Sequence, residues 1–118
     1  MKSTVSLKKN YDFKRVYNKG SSHADRYLVM YILENGTGCN RLGIQVSKKV
    51  GNSVIRHHIT RLVRESYRVR EGLYKMGYDI VIIARNKANS ADYHMISRSV
   101  YKLSGLHGIL KDEKREME

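Results

Sequence analysis

The sequence predicts an α+β fold in a single domain, and three observations carry that expectation. A strand-like run, an amphipathic helix and a strongly apolar run follow one another between residues 41 and 84, an order that implies a crossover joining two parallel neighbours. Helical periodicity also marks segments near both ends of the chain, so helices and strands occur in blocks around one layer of sheet. Finally, 118 residues with no repeat, low-complexity tract or dividing linker suit one modest core, which buries roughly two thirds of the surface of the unfolded chain.

Taken in order, the first element is the helix of NYDFKRVYNKG. Asn10 is its expected N-cap, Asp12 sits in its first turn, and Gly20 stands where a left-handed cap would end it. Phe13, Val16 and Tyr17 recur at helical spacing and give this helix one aromatic face. The β-rich run RYLVMYILENG follows, broken at Asn35-Gly36. In RLGIQVS, Leu42, Ile44 and Val46 alternate with Gly43, Gln45 and Ser47, the pattern of a half-buried strand. Asn52 is the expected N-cap of a long helix through Arg68, and YDIVIIAR reads as a central strand. Tyr93, Ile96, Val100, Leu103 and Leu106 repeat at three to four residues, so a last helix is expected from about Ser90 to Leu110. Proline is absent, which leaves the turns to glycine, asparagine and serine. The end of the chain, 111–118, reads KDEKREME and is expected to be a solvated, frayed tail.

Charge narrows the functional classes. The net charge is +12 with a pI near 10.0, and residues 41–70 hold eight Lys or Arg against the single acid Glu65. A folded basic protein with its charge concentrated in one region favours a polyanionic partner. On the long helix, Ile55, Ile59, Leu62, Val63, Ser66 and Tyr67 share one face, while His57, Arg61, Arg64 and Arg68 line the opposite one. The stripe repels itself in isolation, so an anion should complete it. Arginine suits phosphate because its planar fork donates two hydrogen bonds and its face stacks on a base. Lys48, Lys49 and the free N–H groups after Asn52 add a positive helix end.

Other chemistries lack their signatures. No apolar run approaches the ~20 residues of a membrane span, and MKSTVSLKKN lacks an apolar signal region, so a cytoplasmic protein is expected. Cys39 is the one cysteine, which excludes an internal disulfide or a cysteine-based zinc cluster. Adjacent His57 and His58 point about 100° apart on a helix and do not converge on one metal ion. There is no Cys–His signature, phosphate-binding GxxxxGK[ST] loop or HExxH, so no catalytic set is assigned to the chain itself.

From RLGIQVSKKVGNSVIRHHITRLVRESYR onward the chain resembles the protein subunit of bacterial ribonuclease P, and the likeness extends to LKKNYDFKRVYNKG, YLVMYIL and YDIVIIAR. The resemblance implies the order αβββαβα, with the Arg-rich helix in a left-handed crossover where the general rule is right-handed. It implies a ribonuclease P subunit that binds the catalytic RNA and the 5′ leader of precursor tRNA, promoting endonucleolytic removal of the leader. The hydrolysis is then performed by the RNA with its magnesium ions, and no cofactor, obligate protein partner or membrane is expected for the protein. The leader cleft carries over to Phe13, Tyr17, Tyr31, Gln45 and Ser47. RNA binding is expected at Lys48, Lys49, Asn52, Arg56, His57, His58, Arg61, Arg64 and Arg68. The family motif runs Arg-Asn-Arg, one variable residue, Lys-Arg and a later Arg. Here Arg56, Arg61 and Arg64 keep it, while His57, His58 and Thr60 depart from it.

Two rival readings use the same composition. A ribosomal or other non-enzymatic RNA-binding protein also combines a basic helix with an aromatic sheet, but has no reason to share the full KKVGNSVIR and TRLVR arrangement. A DNA-binding protein would place the Arg-rich helix in a major groove and prefer duplex.

Overall fold

The computed structural model describes residues 3–111. At its centre lies β5, Tyr78–Ala84, whose Ile80, Val81 and Ile82 have no exposed surface. It pairs antiparallel with β3, Leu28–Glu34, and parallel with β4, Asn40–Gln45. The short strands β1, Thr4–Ser6, and β2, Ser21–Ala24, form the edges, giving the sheet order β1-β4-β5-β3-β2. Three helices complete the fold: α1 spans Asn10–Lys19, α2 spans Ser53–Arg68 and α3 spans Tyr93–Leu106. The expected α+β class and the αβββαβα order therefore hold, preceded by one short strand. Helix α2 joins the parallel pair β4 and β5, the crossover expected from the sequence.

Alternation divides the core into two. Leu28, Met30 and Ile32 of β3 point with Ile80 and Ile82 of β5 to the face covered by α2 and α3, where Ile59, Val63, Tyr67, Ile96, Val100 and Leu103 fill the larger cluster. Burying each such side chain contributes roughly 1.5–3 kcal/mol. The opposite face meets α1 through a smaller cluster of Leu7, Phe13, Val16 and Val81. Gly43 lets α1 approach, because a Cβ there would lie 2.6 Å from two ring atoms of Phe13. The face of β4 expected to present small polar groups is thus covered at Gly43 and open only at Gln45.

The ends of α1 correct two expectations. Asn10 is the first residue of α1, and Lys9 occupies the cap position without a side-chain bond. Gly20 is extended at φ −82°, not left-handed, and a Cβ there would meet Val16 O at 2.6 Å and Ile32 O at 2.7 Å. That glycine serves close packing instead of helix reversal. The last helix is shorter than expected: Asp92 caps it by accepting a hydrogen bond from Met95 N at 2.9 Å. Gly108, at φ +72°, follows its end, and Leu106 is 54% exposed instead of core. Lys111 N donates to Leu73 O at 2.7 Å, so the first residue of the expected tail is tied down. The remainder of that tail, 112–118, lies outside the described residues.

A buried ion network locks α1 to β4 and β5. Asp79 has no exposed surface and accepts hydrogen bonds from Arg15 and from two nitrogens of Arg41, each at 2.7 Å, and from Asn35 Nδ2 at 3.1 Å. Burial pushes its carboxyl upward, but these donors and the two guanidinium charges outweigh that and hold its pKa below the usual aspartate value.

Candidate nucleic-acid interface

Two surfaces on opposite sides of the sheet collect the residues singled out by the sequence. The first lies on the α1 side. Helix α1 covers the end of the sheet at Arg41, Gly43, Asp79 and Val81, while at the other end Gln45, Val29 and Ile83 stay at least partly open. Tyr17 and Tyr31 form the step between the covered and open parts, their rings edge to face at 5.1 Å. The Tyr17 hydroxyl donates to Gln45 Oε1, bridging α1 and β4. Burial, and then the neighbouring Tyr31, raise the Tyr17 pKa above its ordinary value, so its hydroxyl remains a donor at neutral pH.

Phe13 is 8% exposed and packs on Gly43, Leu7 and Val81. Its ring backs Tyr17 at 6.4 Å, so it builds the wall of this trough more than its surface. Ser47 is exposed just beyond Gln45, and its carbonyl accepts from Val50 N at 3.1 Å. The trough also has a floor that the sequence did not announce, since Val29 and Ile83 face each other across β3 and β5 and are half-buried. Their alternation with the core residues of LVMYILE and YDIVIIA is the signal that marks them.

The second surface is the outer face of α2. Asn52 caps the helix as expected, its Oδ1 accepting from Ile55 N at 2.9 Å, and its amide nitrogen has no hydrogen-bond partner among the described residues. Val50 is buried in the core, and Gly51 lies under Ile55, where a Cβ would come within 2.8 Å of Ile55 Cγ2. The turn KKVGN therefore anchors by its middle and exposes Lys48 and Lys49. His57, His58, Arg61, Arg64 and Arg68 are all exposed along the helix. Arg56 is half-buried, with its Nε buried and without a hydrogen-bond partner among the described residues. Arg68 is held by Glu65 through 2.7 Å contacts, and this pair lowers the Glu65 pKa and raises that of Arg68.

The fold consumes part of the charge counted in residues 41–70. Arg41 belongs to the Asp79 network, and Arg70 lies 4.5 Å from the Tyr101 ring centre while donating to Ser97. Lys48, Lys49, Arg56, Arg61 and Arg64 have no ion-pair partner among the described residues. Such unpaired cations beside free helix N–H groups suit phosphate. Among the described residues no three His, Cys, Asp or Glu side chains come together to hold a metal ion. His107 is structural: its Nε2 donates to Met30 O at 2.8 Å, and its ring meets His23 edge to face.

Known proteins are similar to this chain in sequence and in fold. The sequence profile of the family described as Ribonuclease P matches residues 1–106. The ribonuclease P protein component of Lachnoclostridium phytofermentans is 49% identical over 92% of this chain and 94% of its own length. That of Natranaerobius thermophilus is 45% identical over 88% and 90%. Among solved structures, the RNase P protein of Staphylococcus aureus superposes with a TM-score of 0.84 at 37% identity, covering 90% of this chain and 97% of that one. The RNase P protein of Thermotoga maritima gives 0.77 at 31% identity, covering 83% and 93%.

Proposed function

Because this chain belongs to the ribonuclease P protein family, we propose that it serves as the protein component of ribonuclease P, binding the catalytic RNA through α2 and the 5′ leader of precursor tRNA in the trough beside α1. The observation that carries the two-surface reading is the placement of Tyr17, Tyr31 and Gln45 on one side of the sheet and the exposed stripe of α2 on the other. A single strand needs an aromatic platform and hydrogen-bonding groups, and stacking contributes about 1–3 kcal/mol per base. Tyr17 and Tyr31 supply the platform, with Gln45 and Ser47 at its lip and Phe13 behind it. Lys48, Lys49, Asn52, Arg56, His57, His58, Arg61, Arg64 and Arg68 meet the catalytic RNA, mostly at phosphates.

On this reading the protein positions substrate and RNA, and the phosphodiester hydrolysis belongs to the RNA, whose bound magnesium ions supply the metal chemistry. The complex works in the cytoplasm, without an obligate protein partner. No helix among the described residues is long and apolar enough to cross a membrane.

The test is cleavage of a precursor tRNA by ribonuclease P RNA at low magnesium, with and without the protein. Stimulation that grows with the presence of a 5′ leader is the expected result. A folded protein that binds RNA but leaves cleavage unchanged would instead be a non-enzymatic RNA-binding module.

A further inference from the structure

Helices α2 and α3 leave a groove of about 560 Å³ between them, next to the arginine stripe. Its floor joins the half-buried side chain of Leu62, which packs on the main core, to Tyr93, the first residue of α3. Its rim carries His58, Arg61 and Arg64, and the Glu65–Arg68 pair closes one end. Arg61 and Arg64 have no ion-pair partner, and the Tyr93 hydroxyl no hydrogen-bond partner, among the described residues.

We infer that this groove is a nucleotide pocket that takes one unstacked base of the partner RNA, with Tyr93 and Leu62 against its ring and Arg61 and Arg64 on its flanking phosphates. A duplex backbone alone would need only the cations. The aromatic and aliphatic floor adds a surface that matches a flat heterocycle, which in RNA is exposed mainly at loops, bulges and ends. An acidic segment of protein would satisfy the arginines but has no use for the ring. The inference rests on the RNA-binding reading of α2, and it extends the interface across to α3, which that reading leaves out.

The experiment compares the full chain with Tyr93→Ala, Tyr93→Leu, Tyr93→Phe and Arg61→Ala, after thermal melts have confirmed folding. Dissociation constants are measured at several salt concentrations, in one arm with ribonuclease P RNA and in the other with precursor tRNA. Loss of one stacked base weakens binding by about 5- to 150-fold, so Tyr93→Ala and Tyr93→Leu should do so in the ribonuclease P RNA arm, the RNA that α2 meets, and a loss confined to the precursor tRNA arm would overturn the assignment of the base. Their salt slope should match the wild type because every phosphate keeps its cation. Tyr93→Phe should stay within about twofold of the wild type, since its ring retains the stacking face. Arg61→Ala should weaken binding and reduce the slope by roughly 0.7–0.9 per phosphate left without its cation. Wild-type affinity of Tyr93→Ala in both arms, together with an effect of Arg61→Ala, would overturn the pocket alone. If Arg61→Ala also changed neither affinity nor slope, the RNA-binding reading of α2 would fall with it.

Discussion

Asp79 and its two arginines separate structural charge from functional charge. The carboxylate is fully buried, while the Arg15 and Arg41 side chains keep 30% and 27% of their surface exposed. Removing one partner of a buried pair costs about 3–5 kcal/mol because the other is left uncompensated, and partly solvated arginines soften that loss. Asp79→Asn should therefore lower stability by roughly 3 kcal/mol, the low end of that range, read as a shift in urea midpoint with an unchanged slope. The pH dependence follows from the depressed pKa in the folded state. The unfolded aspartate binds its proton first as pH falls, so the stabilisation is complete above about pH 4, the unperturbed aspartate range, and disappears as pH falls through the lower folded value. Wild-type stability should fall more steeply than that of Asp79→Asn below about pH 4. Parallel curves would mean that Asp79 is not the charged anchor of α1. Arg41, one of the eight Lys or Arg counted in residues 41–70, belongs to this anchor.

At the scale of elements, the seat of α1 on the sheet decides the shape of the trough. Gly43→Ala would put a methyl group 2.6 Å from the Phe13 ring, and overpacking of this kind typically costs about 1–3 kcal/mol. The relief is a shift of α1 that carries Tyr17 away from Gln45. The expected outcome is a lower melting temperature together with weaker binding of leader-bearing precursor tRNA, and unchanged affinity for ribonuclease P RNA. Equal loss for both RNAs would place the effect on the fold as a whole. The long elements were legible because their periods are sustained: Ile59, Val63 and Tyr67 mark α2 as surely as Ile80, Val81 and Ile82 mark β5. Short or backbone-held elements left no comparable pattern. The three residues of β1 pair with β4 through Thr4↔Asn40, too few for alternation to register, and β2 is the wholly exposed SSHA. Gly20 shows a second limit, because sequence marks it as a helix terminator without revealing that Ile32 O packs against it. The stripe of α2 was readable from spacing alone. The engagement of Arg68 by Glu65 and the role of Tyr93 in a groove depend on side-chain direction and on which helices become neighbours.

In the whole molecule, α2 and α3 cover one face of the sheet and α1 part of the other, so the trough beside α1 and the arginine stripe are separated by the sheet itself. Separation of this kind predicts independence, since substitutions more than about 7–10 Å apart with no shared partner add to within about 0.3–0.5 kcal/mol. Tyr31→Leu keeps the small cluster filled and removes one stacking face. It should weaken precursor tRNA binding by about 5- to 150-fold, the value of one stacked base, only when a leader is present. Arg61→Ala with Arg64→Ala should weaken binding of ribonuclease P RNA and reduce its salt slope by roughly 0.7–0.9 for each phosphate left without its cation, with or without a leader in the assay. In the triple variant, assayed as holoenzyme on a leader-bearing substrate, the two losses should multiply to within about twofold, the equivalent of that additivity limit. A combined loss no larger than the greater single one would show that both surfaces grip the same RNA segment, and the division of labour across the sheet would be wrong.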